Sequence, residues 1–71
     1  MSGNKQWKRE LEKHLGAIPP MQQQILCLRF GLRGEHAHTL DEVTELLGLS
    51  RHELRRQEAR ALKQLRRDRA A

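Results

Sequence analysis

Two helix-start signals stand on either side of Gly48, and they constrain this chain more than any other feature. Thr39 is followed three residues on by Glu42, and Ser50 in the same way by Glu53. In such a pair the hydroxyl accepts a backbone amide of the first helical turn, while the glutamate reaches back to the amide at the helix entrance. After the first signal come Leu40, Val43, Leu46 and Leu47 at helical spacing, and Gly48 suits the left-handed turn that ends a helix. After the second come Leu54, Glu58, Ala61, Leu62 and Leu65, the inward side of a helix expected to run to about Arg67. Two capped helices joined at Gly48-Leu49 describe a helix-turn-helix over about residues 39–67.

The upstream half predicts two more helices. Trp7, Leu11 and Leu15 form one stripe of an amphipathic helix ending near Gly16. Ile18-Pro19-Pro20 then interrupts it, because a residue before proline leaves helical geometry and a proline at the first helical position starts a new helix. That second helix should run from Pro20 to about Phe30 and bury Met21, Ile25, Leu26 or Leu28, and Phe30. Gly31 is placed to cap it, and Leu32 to His38 reads as a polar loop. No alternating β-branched and aromatic run suggests a sheet. The fold class is therefore all-α, a compact bundle of four short helices with a C-terminal helix-turn-helix. Residues 1–71 make a single domain, of which the first four read as an expression leader.

Charge is placed unevenly along this chain. Through Leu49 six basic residues face six acids, whereas from Ser50 onward eight basic residues face three, so the net +5 resides in the last segment. One strongly basic helix beside a neutral body is the footprint of a polyanion-binding protein, most often one that binds nucleic acid. On a helical wheel of 100° per residue, Leu54, Ala61 and Leu65 gather on one side and His52, Arg56, Ala59 and Lys63 on the other, flanked by Arg55 and Arg60. A helix fits the major groove of duplex DNA and its N-terminal residues reach base edges, which places Arg51, His52, Arg55 and Arg56 as base readers. Arg60 and Lys63 lie farther along and suit phosphates.

Other chemistry is excluded or weak. His36, His38, Glu35 and Cys27 follow no established zinc spacing, so no metal or other cofactor is assigned. Cys27 lies between Leu26 and Leu28, where an inert buried thiol is expected, and as the lone cysteine it suits a reducing cytoplasm. His14 falls near a helix C-terminus, where positive charge is favoured. There is no glycine-rich phosphate loop, no membrane-spanning run and no carboxylate pair with a pocket, so the chain is read as no enzyme.

The residues resemble a known family, region four of primary-type bacterial sigma factors, which binds the upstream (−35) promoter element. Ile18-Pro19-Pro20 and Ile25 to Leu32 are similar to its first signature, and His38 to Val43 to the start of its first motif helix. Gly48 to Arg51 and Glu58 to Arg66 are similar to its turn and recognition helix, so the likeness covers about Leu15 to Arg67. The resemblance implies that Arg51 and Arg55 contact double-stranded promoter DNA. It implies also that Arg29, the helix start at Thr39 and Leu40, and Ser50 hold phosphates, which agrees with the anion affinity of helix N-termini. It further implies docking on the β-subunit flap of RNA polymerase through an apolar surface, and a face around Arg60 for activators or anti-sigma proteins. A bacterial, nucleoid-associated cytoplasmic location follows.

Departures from the family fall in the base-reading turn. His52 stands where the family has Glu, Glu53 where it has a basic residue, and Arg56 where it has Gln. These departures leave open an adaptor of the same fold that binds polymerase or a regulator without specific DNA contact. A response-regulator output domain, whose four helices look similar, is a second alternative, against which the Arg29 to Leu32 run and the Glu58 to Leu65 ending favour sigma. Thr44 and Gln57 also depart, being polar where a helix-turn-helix prefers a small and an apolar residue. Gln57 lies about 60° from the middle of the buried face. A hydrogen bond between Thr44 and Gln57 across the turn would compensate the pair, and an outward-turned Gln57 is the alternative.

Overall fold

A computed structural model describes residues 6–70 of the chain, with side chains to Asp68. The expected leader, residues 1–4, lies outside the described residues. Four helices follow in order: α1 (Gln6–His14), α2 (Pro20–Phe30), α3 (Leu40–Leu47) and α4 (Arg51–Ala70), with a short 3-10 turn (Leu15–Ala17) after α1. No strand occurs among the described residues. The bundle is all-α, as the periodicity predicts.

Local chemistry sets the boundaries. Ile18 and Pro19 are extended, each preceding a proline, and Pro20 opens α2 at a position where its missing N–H costs nothing. Gly31 closes α2 in left-handed geometry at φ 67°, with its amide donating to the Cys27 carbonyl. Gly48 closes α3 in the same way, its amide on the Thr44 carbonyl. Both halves of the first capping box form: Thr39 Oγ1 accepts the Glu42 amide at 3.1 Å, and a Glu42 carboxylate oxygen accepts the Thr39 amide at 2.8 Å. α4 runs through Ala70, beyond the expected end at about Arg67. Nothing in its last turns breaks a helix, since Arg66, Arg67 and Ala70 are good helix formers.

Helix α4 packs against all three other helices, most extensively α2. Two apolar clusters result. Leu15, Ile18, Leu26, Cys27, Leu32, Ala61 and Leu65 form one, and Ile25, Val43 and Leu54 the other, joined by Leu28, Leu40, Leu47 and Leu49. Helix α2 supplies both, through neighbouring residues Ile25 and Leu26 that point to different clusters. Ala61 is fully buried and small, which lets α4 approach the body closely. Burying a leucine side chain contributes about 1.5–3 kcal/mol, so the handful of fully buried aliphatics carries most of the stability.

Four apolar expectations differ from the structure. Trp7, Met21 and Leu46 are exposed at 43%, 48% and 60%, although helical spacing predicts each on an apolar stripe. A stripe spans more of a helix than its partner covers, and α3 presents Val43 rather than Leu46 to its neighbours. Leu32 lies in the segment read as a polar loop, yet it is fully buried. The turn set by Gly31 swings it inward, and its amide donates to the Cys27 carbonyl at 2.9 Å.

The loop itself is tied down by polar contacts. Glu12 accepts the Arg33 amide at 2.7 Å, and His38 places its amide and Nδ1 on the Leu28 carbonyl at 2.8 and 3.1 Å. A carbonyl only accepts, so Nδ1 carries the proton there. His14 has a partner beyond the helix end: its Nδ1 stands 2.6 Å from an Asp68 carboxylate oxygen, joining α1 to the far end of α4. Trp7 meets Phe30 edge to face at 6.0 Å. Cys27 is buried, and desolvation pushes its thiol above the ordinary value, with Glu12 and Glu35 adding to the rise and Arg33 opposing it. A thiol so placed stays protonated and inert.

Candidate nucleic-acid interface

The outward side of α4 carries the candidate interface. Leu54, Ala61 and Leu65 anchor the helix to the body, and this rotation leaves Arg51, His52, Arg55, Arg56, Ala59, Arg60 and Lys63 exposed. The four expected base readers thus share the first two turns, and Arg60 and Lys63 continue the row farther along. Ala59 leaves a low point between them.

Two arginines of the first turns face acids. Arg51 donates through Nε to an Asp41 carboxylate oxygen at 2.8 Å, spanning the turn from α4 to the start of α3. Arg56 Nη1 stands 3.9 Å from Glu53 Oε1. Arg55 makes no ion pair among the described residues. A guanidinium has five donors, so Arg51 retains several beyond those turned to Asp41. Asp41 also loses part of its repulsion toward an anion through this pairing.

The second helix-start signal forms by half. Ser50 Oγ accepts the Glu53 amide at 3.1 Å, as expected of a cap. The Glu53 carboxylate does not return to the Ser50 amide. It takes the amide NH2 of Gln57 instead, at 2.7 Å, because Gln57 lies one turn on along the same flank. The proposed bond between Thr44 and Gln57 is absent for a related reason. Thr44 Oγ1 donates to the Asp41 carbonyl within its own helix at 2.7 Å, while Gln57 is engaged on both sides. Gln22 Nε2 donates to Gln57 Oε1 at 2.9 Å, and Gln22 is itself 8% exposed. Gln57 is therefore partly buried rather than turned to water. Gln22 gave no signal in the sequence beyond lying one turn before Ile25 and Leu26.

The remaining expected phosphate residues occupy differing positions. At the α3 entrance the capping box consumes the amides of Thr39 and Glu42, so the amides of Leu40 and Asp41 are the donors left at that helix end. Arg29 is half-buried. Its Nε donates to Glu58 at 3.1 Å and its Nη1 to the His38 carbonyl at 3.3 Å, a clasp of α2, α4 and the loop before α3. Glu58, expected on the inward side of α4, faces Arg29 across that clasp. His36 and His38 stack at 4.2 Å, and no group of three or more metal-ligating side chains gathers among the described residues. Among the described residues no helix is long and apolar enough to cross a membrane.

Comparison with known proteins places this geometry in a family context. The family model described as sigma-70, region 4 matches residues 14–67. Over 59 residues the chain is 37% identical to the probable RNA polymerase sigma-C factor of Synechocystis and 41% identical to the RNA polymerase sigma factor SigA of Clostridium acetobutylicum. Each alignment covers 83% of this chain but only 15% and 16% of those relatives. Sigma factor SigA4 of Synechococcus elongatus is 42% identical over 57 residues, covering 80% of this chain and 18% of that protein. No solved structure matches the chain.

Proposed function

The chain belongs to the sigma-70 region 4 family, and on that premise we propose that it binds double-stranded promoter DNA through the first turns of α4 and also docks on RNA polymerase. One observation carries the DNA reading. The packing of Leu54, Ala61 and Leu65 turns a basic row, Arg51 to Lys63 with the small Ala59 inside it, away from the body at the end of a helix of the size that enters a major groove. Arg51, His52, Arg55 and Arg56 read base edges, arginine being able to pair with guanine in bidentate fashion. Arg60 and Lys63 hold phosphates. So do Ser50, the α3 entrance at Thr39 and Leu40, and the exposed part of Arg29, which Glu58 braces. The reading is of a binding module and not an enzyme.

The chain spans less than a fifth of the length of these sigma factors. Promoter opening by a whole sigma factor is therefore outside what this module does alone. Polymerase docking, on the β flap in this reading, is supported by a groove of about 400 Å³ between α1 and α4, lined by Trp7, Leu11, Leu62 and Leu65 among others. Trp7 is 43% exposed at its edge. His52, Glu53 and Arg56 alter the reading surface, so the family's usual hexamer does not carry over to this chain as its target.

Substitution separates base reading from charge. Arg51→Ala or Arg55→Ala should weaken binding to a preferred duplex more than to a scrambled one, by about 1–3 kcal/mol of discrimination. Lys63→Ala should lower affinity for both alike and flatten the salt dependence. Equal losses on both duplexes for all three variants, measured by fluorescence anisotropy, would contradict base reading.

A further inference from the structure

Gln57 connects the interior of the bundle to its basic face. Gln22, buried on α2, donates through Nε2 to Gln57 Oε1 at 2.9 Å. Gln57 donates in turn through Nε2 to Glu53 Oε2 at 2.7 Å. The other oxygen of the same carboxylate, Oε1, stands 3.9 Å from Arg56 Nη1. The direction of this chain of contacts is fixed by chemistry. A carboxylate can only accept, so Glu53 must take the NH2 end of Gln57, and the carbonyl end of Gln57 must then face a donor, which Gln22 provides. Along the helices the glutamine pair lies one turn from both apolar clusters. Gln57 falls between Leu54 and Ala61, and Gln22 precedes Ile25 and Leu26. The well-packed body therefore holds one end of the series.

We propose that Gln22, Gln57 and Glu53 form a positioning relay for Arg56, and that Gln57 thereby sets the sequence selectivity at the base pair Arg56 meets without touching DNA. The inference rests on the promoter-binding reading above. A long, rotamer-rich side chain discriminates between bases more sharply when its guanidinium is already oriented, because less freedom is lost on forming the bidentate contact. Arg55 makes no ion pair among the described residues and supplies an internal comparison. The relay also accounts for a carboxylate in a DNA-facing turn, since the bond to Gln57 holds Glu53 toward the flank of α4, where its other oxygen faces Arg56.

The test uses the full chain and a set of duplexes in which each base pair of the preferred site is varied singly. Arg56→Ala should erase the preference at one base pair. Gln57→Leu should reduce the preference at that same base pair by about fivefold or more, with the preferences that depend on Arg51 and Arg55 unchanged and the melting temperature lowered, because buried Gln22 loses its acceptor. In the Arg56→Ala background, Gln57→Leu should add nothing. Glu53→Gln, a surface change that removes the charge facing Arg56, should reproduce the selectivity loss and keeps the test valid where Gln57→Leu fails to fold. The relay is overturned if Arg56→Ala changes no base preference, if both Gln57→Leu and Glu53→Gln leave it intact, or if Gln57→Leu acts equally without Arg56. A wild-type chain that prefers no duplex over a scrambled one would instead remove the promoter-binding reading, and the relay with it.

Discussion

Gly31 and Gly48 adopt nearly the same left-handed backbone, at φ 67° and 68°, but their surroundings differ. A Cβ on Gly48 would meet nothing within 4 Å, whereas one on Gly31 would stand 3.0 Å from the Ala37 amide nitrogen and the Glu35 carbonyl oxygen. Backbone atoms cannot step aside as a side-chain tip can. Gly48→Ala should therefore cost roughly 1–2 kcal/mol, the strain of a left-handed L-residue. Gly31→Ala should cost more, because the loop after α2 must also shift. Thermal melts of the two variants check the order, and a Gly31→Ala variant as stable as Gly48→Ala would contradict the packing described for Leu32 to His38. Both glycines were legible in the sequence as helix ends. The burial of Leu32 was not, because the direction a chain takes after a left-handed turn depends on what it can pack against. The exposure of Met21 and Leu46 has the same cause: helical spacing gives the side of a helix, and the neighbour decides how much of that side is covered.

At the scale of the elements, the capping box of α3 is the clearest match between sequence and structure. Thr39→Ala should cost on the order of 1 kcal/mol, and Ser50→Ala a similar amount. If calorimetry finds the melting temperature unchanged in both variants, the helix starts are not stabilised as described. The cap of α3 also makes a prediction about pH. The hydrogen bond from the Thr39 amide holds the Glu42 carboxyl below its ordinary value, with His38 and His36 adding to the lowering and some desolvation opposing it. A group whose pKa is lowered on folding stabilises the folded state above its unfolded value, and that contribution is lost as pH falls through the folded value. The melting temperature should therefore fall on acidification from about pH 6 to about pH 2, and Glu42→Gln should show a smaller fall. Identical acid profiles for the two proteins would sink the assignment. The same sequence signal at Ser50 delivered only its serine half. Glu53 had a competing donor in Gln57, and only the packing of α4 on α2 shows that Gln22 stands behind it.

For the whole molecule, the uneven charge was legible without structure, and the structure adds which way the charge faces. Helix α4 is both the central packing element and the bearer of the basic row, so the face it buries determines the face it offers. Arg29 is expected to touch DNA, and its setting could not be read from the sequence. Its ion pair with Glu58 joins residues far apart in the chain, and no local spacing announces such a clasp. Arg29→Ala should leave the Glu58 carboxylate without this partner in a half-buried site, with a stability loss of about 1–3 kcal/mol measurable by urea denaturation. The account as a whole turns on sequence-selective DNA binding. Its most direct test measures affinity across a salt series for a duplex selected from a random-sequence pool and for a scrambled duplex of the same composition. Log affinity for both should fall linearly with log salt as phosphate contacts release counterions. The selected duplex should stay at least about tenfold tighter throughout. Superimposed lines for the two duplexes at every salt concentration would contradict the account, leaving a basic surface that reads no bases.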